Sequence, residues 1–140
     1  MLKRGVTGIV FSKSGQNNFF LLLHRCLNWS GWEFVKGGIE GSEAPEQAVM
    51  REIEEETSLK RVEIVHCLNG TMEWAVGSTK YIYKVFVVRA DMGDKVKLNE
   101  DIREHDGFRW VEEKKAEAML THEDNKKHFR KALEWLNENG

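Results

Sequence analysis

Residues 36–59 read KGGIEGSEAPEQAVMREIEEETSL, and their reading decides the fold. Gly37 and Gly38 form a tight pair, predicted to allow a close turn that brings the following loop under a helix. The helix is predicted from Glu43 to about Thr57, with Ser42 as N-cap and Pro45 in the first turn, where its missing N–H costs little. Ala44, Ala48, Ile53, Met50 and Thr57 supply its apolar face. Glu52, Glu55 and Glu56 stand at i, i+3 and i+4, so the helix puts three carboxylates on one face. Like charges at that spacing cost about 0.2–0.5 kcal/mol per pair. A solvated face would alternate the signs, so the pattern predicts a bound cation.

Outward from that helix, the N-terminal side reads as strands. Lys3 to Phe11 is apolar and β-branched, SKSGQNN at 12–18 is turn chemistry, and Phe19 to Arg25 is predicted to return antiparallel. Trp32 to Val35 is a short strand feeding Lys36. On the C-terminal side, Val62 to Leu68 and Thr71 to Val76 are predicted to form a hairpin across Asn69-Gly70. Thr79 to Ala90 is a long strand, 91–106 is irregular, and Phe108 to Val111 is a short strand. Two helices close the chain, Glu112 to Leu120 and one capped by Asp124 or Thr121. The second carries the stripe Phe129, Ala132, Leu133, Leu136, read as core. This order predicts a mixed sheet between helices in a single domain, 1–140.

Composition narrows the function classes. The chain is 41% hydrophobic, 10% aromatic and carries a net charge of −2, within the range of soluble globular domains. It has no apolar run of membrane length, and its N-terminus reads as a strand rather than a signal peptide, so a cytoplasmic location is expected. Cys26 and Cys67 have no framework or metal spacing and read as reduced thiols. No basic block suits a nucleic-acid duplex. Between Glu40 and Glu56 stand seven Glu and one Arg, so a polyanionic substrate approaches that segment only with divalent metal between them.

Gly37, Glu43, Arg51-Glu52-Ile53, Glu55-Glu56 and Leu59 stand at the spacing of the Nudix box, and the stretch resembles it at every fixed position but one, Ser58, where the family has glycine. The resemblance implies an α/β/α sandwich with a mixed β-sheet, and metal-dependent hydrolysis of a phosphoanhydride in a nucleoside diphosphate-linked compound by water attack on phosphorus. It implies Mg²⁺ or Mn²⁺ held by Glu52, Glu55 and Glu56, with Arg51 orienting Glu52 and Glu43 structural or ligating through water. Magnesium prefers oxygen donors, which these residues offer. Glu55 is the expected general base, with Glu104 as the alternative. Ser58 is expected to end the helix left-handed, at a cost of about 1 kcal/mol.

Two segments resemble one branch of the family. Trp32-Glu33-Phe34-Val35-Lys36-Gly37 is similar to the Trp-x-x-Pro-Lys-Gly segment of the dinucleoside tetraphosphate and diphosphoinositol polyphosphate hydrolases, with Val35 in place of proline. Glu104-His105-Asp106-Gly107-Phe108-Arg109-Trp110 resembles a segment of the dinucleoside tetraphosphate hydrolases. That branch implies phosphate contacts from Lys36, the Gly37–Gly38 pair and a strand tyrosine, Tyr83 or Tyr81, and an aromatic ring stacked on a base, with Phe34, Trp74 and Phe129 as candidates. His105 is read either as a phosphate contact or proton donor, or as a loop hydrogen bond. Tyr81 and Tyr83 share a face, core or cleft; Trp110 reads as core, and the other histidines as non-functional.

A dinucleoside polyphosphate such as diadenosine tetraphosphate is therefore the expected substrate. The alternatives are a (d)NTP, ADP-ribose or a nucleotide sugar, and a non-catalytic nucleotide-binding module. A degenerate module would be expected to lose some of Arg51, Glu52, Glu55 and Glu56, and all are present. The expected partner is a small nucleotide, with neither membrane nor duplex.

Overall fold

The computed structural model describes residues 1–139. In chain order they form β1 (Leu2–Ser14), β2 (Asn17–Arg25), β3 (Gly31–Glu33), β4 (Val35–Gly38), α1 (Pro45–Thr57), β5 (Glu63–Val76), β6 (Thr79–Arg89), β7 (His105–Glu112), α2 (Glu113–Met119) and α3 (Glu123–Asn139). β1 and β6 pair in parallel from Leu2↔Lys80 to Phe11↔Arg89, while the other pairings are antiparallel, so the sheet is mixed.

Strand alternation explains why helices cover both faces. Ile9, Phe20, Leu22, Val85 and Val87 point to one side, where Ala116 of α2 and Phe129, Ala132 and Leu136 of α3 complete a core. Val6, Val10, Leu21, Leu23, Phe86 and Val88 point to the other side, against Ala48, Val49 and Ile53 of α1. The result is the expected α/β/α sandwich. No helix among the described residues is long and apolar enough to cross a membrane.

The sheet divides where the site forms. β1 pairs with β2 only from Phe11 to Ser14, then with β4 from Gly5 to Gly8. β2 continues instead against β7 and β3. Lys36 and the start of α1 are thereby carried onto the β1 half, and the start of β7 stays on the β2 half.

Several local expectations are corrected. Asn69-Gly70 is not a hairpin turn. Cys67 pairs with Phe86 and Thr71 with Lys84, so β5 runs through as one strand with a bulge there, Gly70 taking φ 84°. The turn comes instead between Val76 and Thr79, at Gly77 with φ 60°. The N-cap is Ala44, not Ser42: Pro45 has no N–H to donate, the helix begins with it, and the Ala44 N–H donates to the Gln47 side chain at 2.9 Å. Ala44 is exposed and Val49 takes its place in the core. Gly37 and Gly38 lie in β4, not in a turn.

Candidate active site

The C-terminal half of α1 lies over β4 and carries Glu52, Glu55 and Glu56 toward one cleft of about 750 Å³. Gly37 makes this approach possible, because a Cβ there would overlap the Glu52 carboxylate. The expected role of Gly37 as a turn residue is thus replaced by close packing.

Arg51 is the hub of the acidic segment. Its Nε and Nη2 donate to both oxygens of Glu43 at 2.8 and 2.9 Å, a bidentate pair. Nη2 also reaches the Gly38 carbonyl at 2.8 Å, and Nη1 donates to Glu52 at 2.9 Å and to Glu55 at 3.2 Å. The hydrogen bonds from Arg51 hold the Glu43 carboxyl down at about 2. Glu43 in turn accepts from the Glu40 N–H at 3.0 Å, tying the loop before α1 to the helix. The guanidinium therefore spans loop, strand and helix, and fixes the rotamer of Glu52.

Glu56 is different in kind. Its side chain is 9% exposed, and neither carboxylate oxygen has a hydrogen-bond partner. Burial, followed by the charges of Glu52, Glu104 and Glu33, pushes its carboxyl well above the usual range. Burial also raises Glu52, against the pull of Arg51. A buried carboxylate without a partner is costly, so these oxygens are the ones a cation would satisfy. Among the described residues, Glu56, Glu104 and His105 offer ligand atoms within 4.8 Å of one another. Glu52 and Glu55 line the same cleft but are engaged by Arg51. The donor set fits a divalent ion.

Behind Glu56 lies a network that sequence reasoning missed. Glu33, 1% exposed, sits 2.7 Å from His105 Nε2, with Arg25 at 3.3 Å and Lys36 at 3.6 Å. Burial opposes ionisation of Glu33, but the hydrogen bond to His105 and the charges of Lys36 and Arg25 outweigh it and bring its carboxyl below the usual value. The available signal was a charged residue inside the apolar strand Trp32-Glu33-Phe34-Val35. Arg25 also lies 3.6 Å from Glu104. His105, read from sequence as a phosphate contact or a loop hydrogen bond, is thus a buried partner of Glu33.

The far wall is aromatic. Trp74 of β5 stacks on Tyr81 with planes 6° apart and centroids 5.1 Å apart, and its centroid is 4.7 Å from that of Tyr83. Lys36 Nζ lies 5.0 Å from the Trp74 ring. Tyr81 and Tyr83 both line the cleft, as does Trp29, which sequence reasoning did not single out. Burial raises the Tyr83 hydroxyl. Phe34 and Phe129, expected as possible base platforms, are 1% and 0% exposed and belong to the core. Trp110 is half-buried against the α1-side core.

Comparison with known proteins agrees with this architecture. The family model for the NUDIX domain matches residues 1–136. The chain is 31% identical over 122 residues to an RNA pyrophosphohydrolase of Pseudomonas paraeruginosa, covering 74% of this chain and 72% of that protein. A Caenorhabditis elegans Ap4A hydrolase complex superposes with TM-score 0.84 at 21% identity, covering 97% and 98% of the two chains. The Escherichia coli dihydroneopterin triphosphate pyrophosphohydrolase does so with TM-score 0.75 at 18% identity, covering 94% and 96%. At those identities the two structures show a shared fold.

Proposed function

The chain belongs to the Nudix family and is a pyrophosphohydrolase, and from that premise we propose that it cleaves a phosphoanhydride bond in a dinucleoside polyphosphate, with diadenosine tetraphosphate as the representative substrate. One observation carries the reading: a single cleft joins the unpartnered Glu56 carboxylate to an aromatic wall at Trp74 and Tyr81, with Lys36 between them. Such a cleft suits a polyphosphate at one end and a base at the other. Stacking on one ring is worth about 1–3 kcal/mol per base.

In this proposal Glu52, Glu55 and Glu56 hold Mg²⁺ or Mn²⁺, with Glu104 beside them. The bound ion supplies charge neutralisation and acidifies water. Arg51 keeps Glu52 in its rotamer through the 2.9 Å bond. Glu55 is the proposed base that takes the proton from the attacking water. Its side chain is 45% exposed, outside the tight group of Glu56, Glu104 and His105, so it has room for that water. Lys36 and the Tyr83 hydroxyl bind phosphate oxygens, and Trp74 with Tyr81 takes a base.

A second reading has its own support. One relative is named an RNA pyrophosphohydrolase, and an RNA 5′ end that carries a polyphosphate presents the same polyphosphate-plus-base chemistry. Incubation with Mg²⁺ or Mn²⁺ and a panel of diadenosine tetraphosphate, a 5′-triphosphorylated oligonucleotide, (d)NTPs and ADP-ribose separates the two. ATP plus AMP from the first compound, as the most efficient reaction, is the expected result. A 5′-monophosphorylated RNA as the preferred product moves the assignment to the second reading, and efficient release of pyrophosphate from a (d)NTP overturns both.

A further inference from the structure

His105 is the first residue of β7, and the local backbone decides where it points. Arg25 of β2 pairs with His105 and His24 with Gly107, so Asp106 is an extra residue in a bulge. Bulges of this kind re-aim side chains. Here Asp106 turns out to His24, Nδ1 to Oδ1 at 2.6 Å, and His105 turns in, leaving its side chain 4% exposed.

The two nitrogens of His105 have unlike surroundings. Nε2 is 2.7 Å from the buried Glu33 carboxylate and donates its N–H to it. Nδ1 therefore carries the lone pair in the neutral ring. It faces Glu56 Oε1 at 3.6 Å, too long for a hydrogen bond, and both Glu56 oxygens are otherwise unpartnered. Two donors bonded to one ion at about 2.0–2.2 Å lie about 3 to 4.4 Å apart, so this spacing suits a shared ion. A carboxylate holding the distal N–H of an imidazole is the usual support of a metal-bound histidine.

We propose that Glu56, Glu104 and His105 Nδ1 form a mixed oxygen–nitrogen metal position, with Glu33 as the residue that orients the imidazole. This position takes Mn²⁺ ahead of Mg²⁺, because Mg²⁺ demands near-ideal octahedral oxygen coordination and gives up its waters reluctantly, so exchanging one oxygen for an imidazole nitrogen costs it more than it costs Mn²⁺. The inference deepens the reading of this cleft as the metal-dependent hydrolytic centre and rests on it. Its test reads metal binding directly, so it can fail while turnover of the substrate panel stands.

The probe is Mn²⁺ added to metal-free protein and followed by pulsed electron paramagnetic resonance. Directly bound imidazole nitrogen gives a ¹⁴N coupling, expected in the wild-type protein and replaced by a ¹⁵N coupling when the protein carries [¹⁵N]histidine. His105→Gln is expected to abolish the coupling and to reduce the preference for Mn²⁺ over Mg²⁺ in competition titrations by about tenfold or more. Glu33→Gln is expected to weaken Mn²⁺ about 10–100-fold, the range for loss of such a supporting partner. Mn²⁺ bound with no nitrogen coupling, or no Mn²⁺ bound, overturns the proposal. The labelled wild-type measurement decides the matter even where a variant fails to fold.

Discussion

Ser58 donates its hydroxyl to the Lys97 carbonyl at 2.8 Å. Ser58 is the left-handed residue that ends α1, with φ 67°, and its N–H bonds the Glu54 carbonyl at 2.9 Å. The neighbouring Thr57 carbonyl accepts from the Lys97 N–H, also at 2.9 Å. Two bonds thus pin the stretch before β7 to the end of the acidic helix. That stretch brings Asn99, Ile102 and Glu104 to the cleft. The serine that replaces the family glycine trades backbone comfort for a hydrogen bond to that stretch.

Ser58→Ala and Ser58→Gly both lose the hydroxyl, but only glycine relieves the left-handed penalty. Ser58→Gly is therefore expected to be more stable than Ser58→Ala by about 1 kcal/mol in denaturant titrations. Amide exchange across residues 97–104 should quicken in both variants relative to the parent. Unchanged exchange there would show that the hydroxyl anchors nothing.

Gly37 has no room for a side chain beneath Glu52. Gly37→Ala is expected to displace the carboxylate and lower kcat about 100-fold, the scale of a misplacement of about 1 Å. Circular dichroism should remain that of the parent, since the atoms nearest the added methyl are those of the Glu52 carboxylate and not backbone. Retained kcat would remove Glu52 from the reaction.

Glu56 is a buried acid facing Glu52, Glu104 and Glu33. With metal stripped by a chelator, Glu56→Gln is expected to melt higher than the parent, because a neutral amide removes repulsion and can donate to a neighbouring carboxylate. On adding Mn²⁺ the order should reverse, since binding stabilises only the protein that holds the ion. A variant with the parent's full metal-induced rise in Tm would place the ion elsewhere.

Trp74 forms the aromatic wall together with Tyr81. Trp74→Ala is expected to raise KM for diadenosine tetraphosphate about 5- to 150-fold, the equivalent of losing one base stack, with a much smaller change in kcat. An equal fall in kcat at constant KM would assign the ring to the reaction rather than to binding.

The acidic helix and its left-handed end were legible in residues 36–59. Helical spacing alone puts Glu52, Glu55 and Glu56 on one face, and a left-handed stop is a one-residue event. The alternating apolar strands likewise called for a sheet covered on both faces. Tertiary structure decided what depends on partners distant in the chain. Asn69-Gly70 has the chemistry of a turn, yet β6 pairs on both sides of it and makes it a bulge. Phe34 and Phe129 are aromatic enough to stack on a base, yet both are buried in the core. Glu33 and His105 stand 72 positions apart and meet only because β3 and the start of β7 both pair with the end of β2. Local periodicity carries no record of such pairings, because strand register is set by burial of the whole sheet.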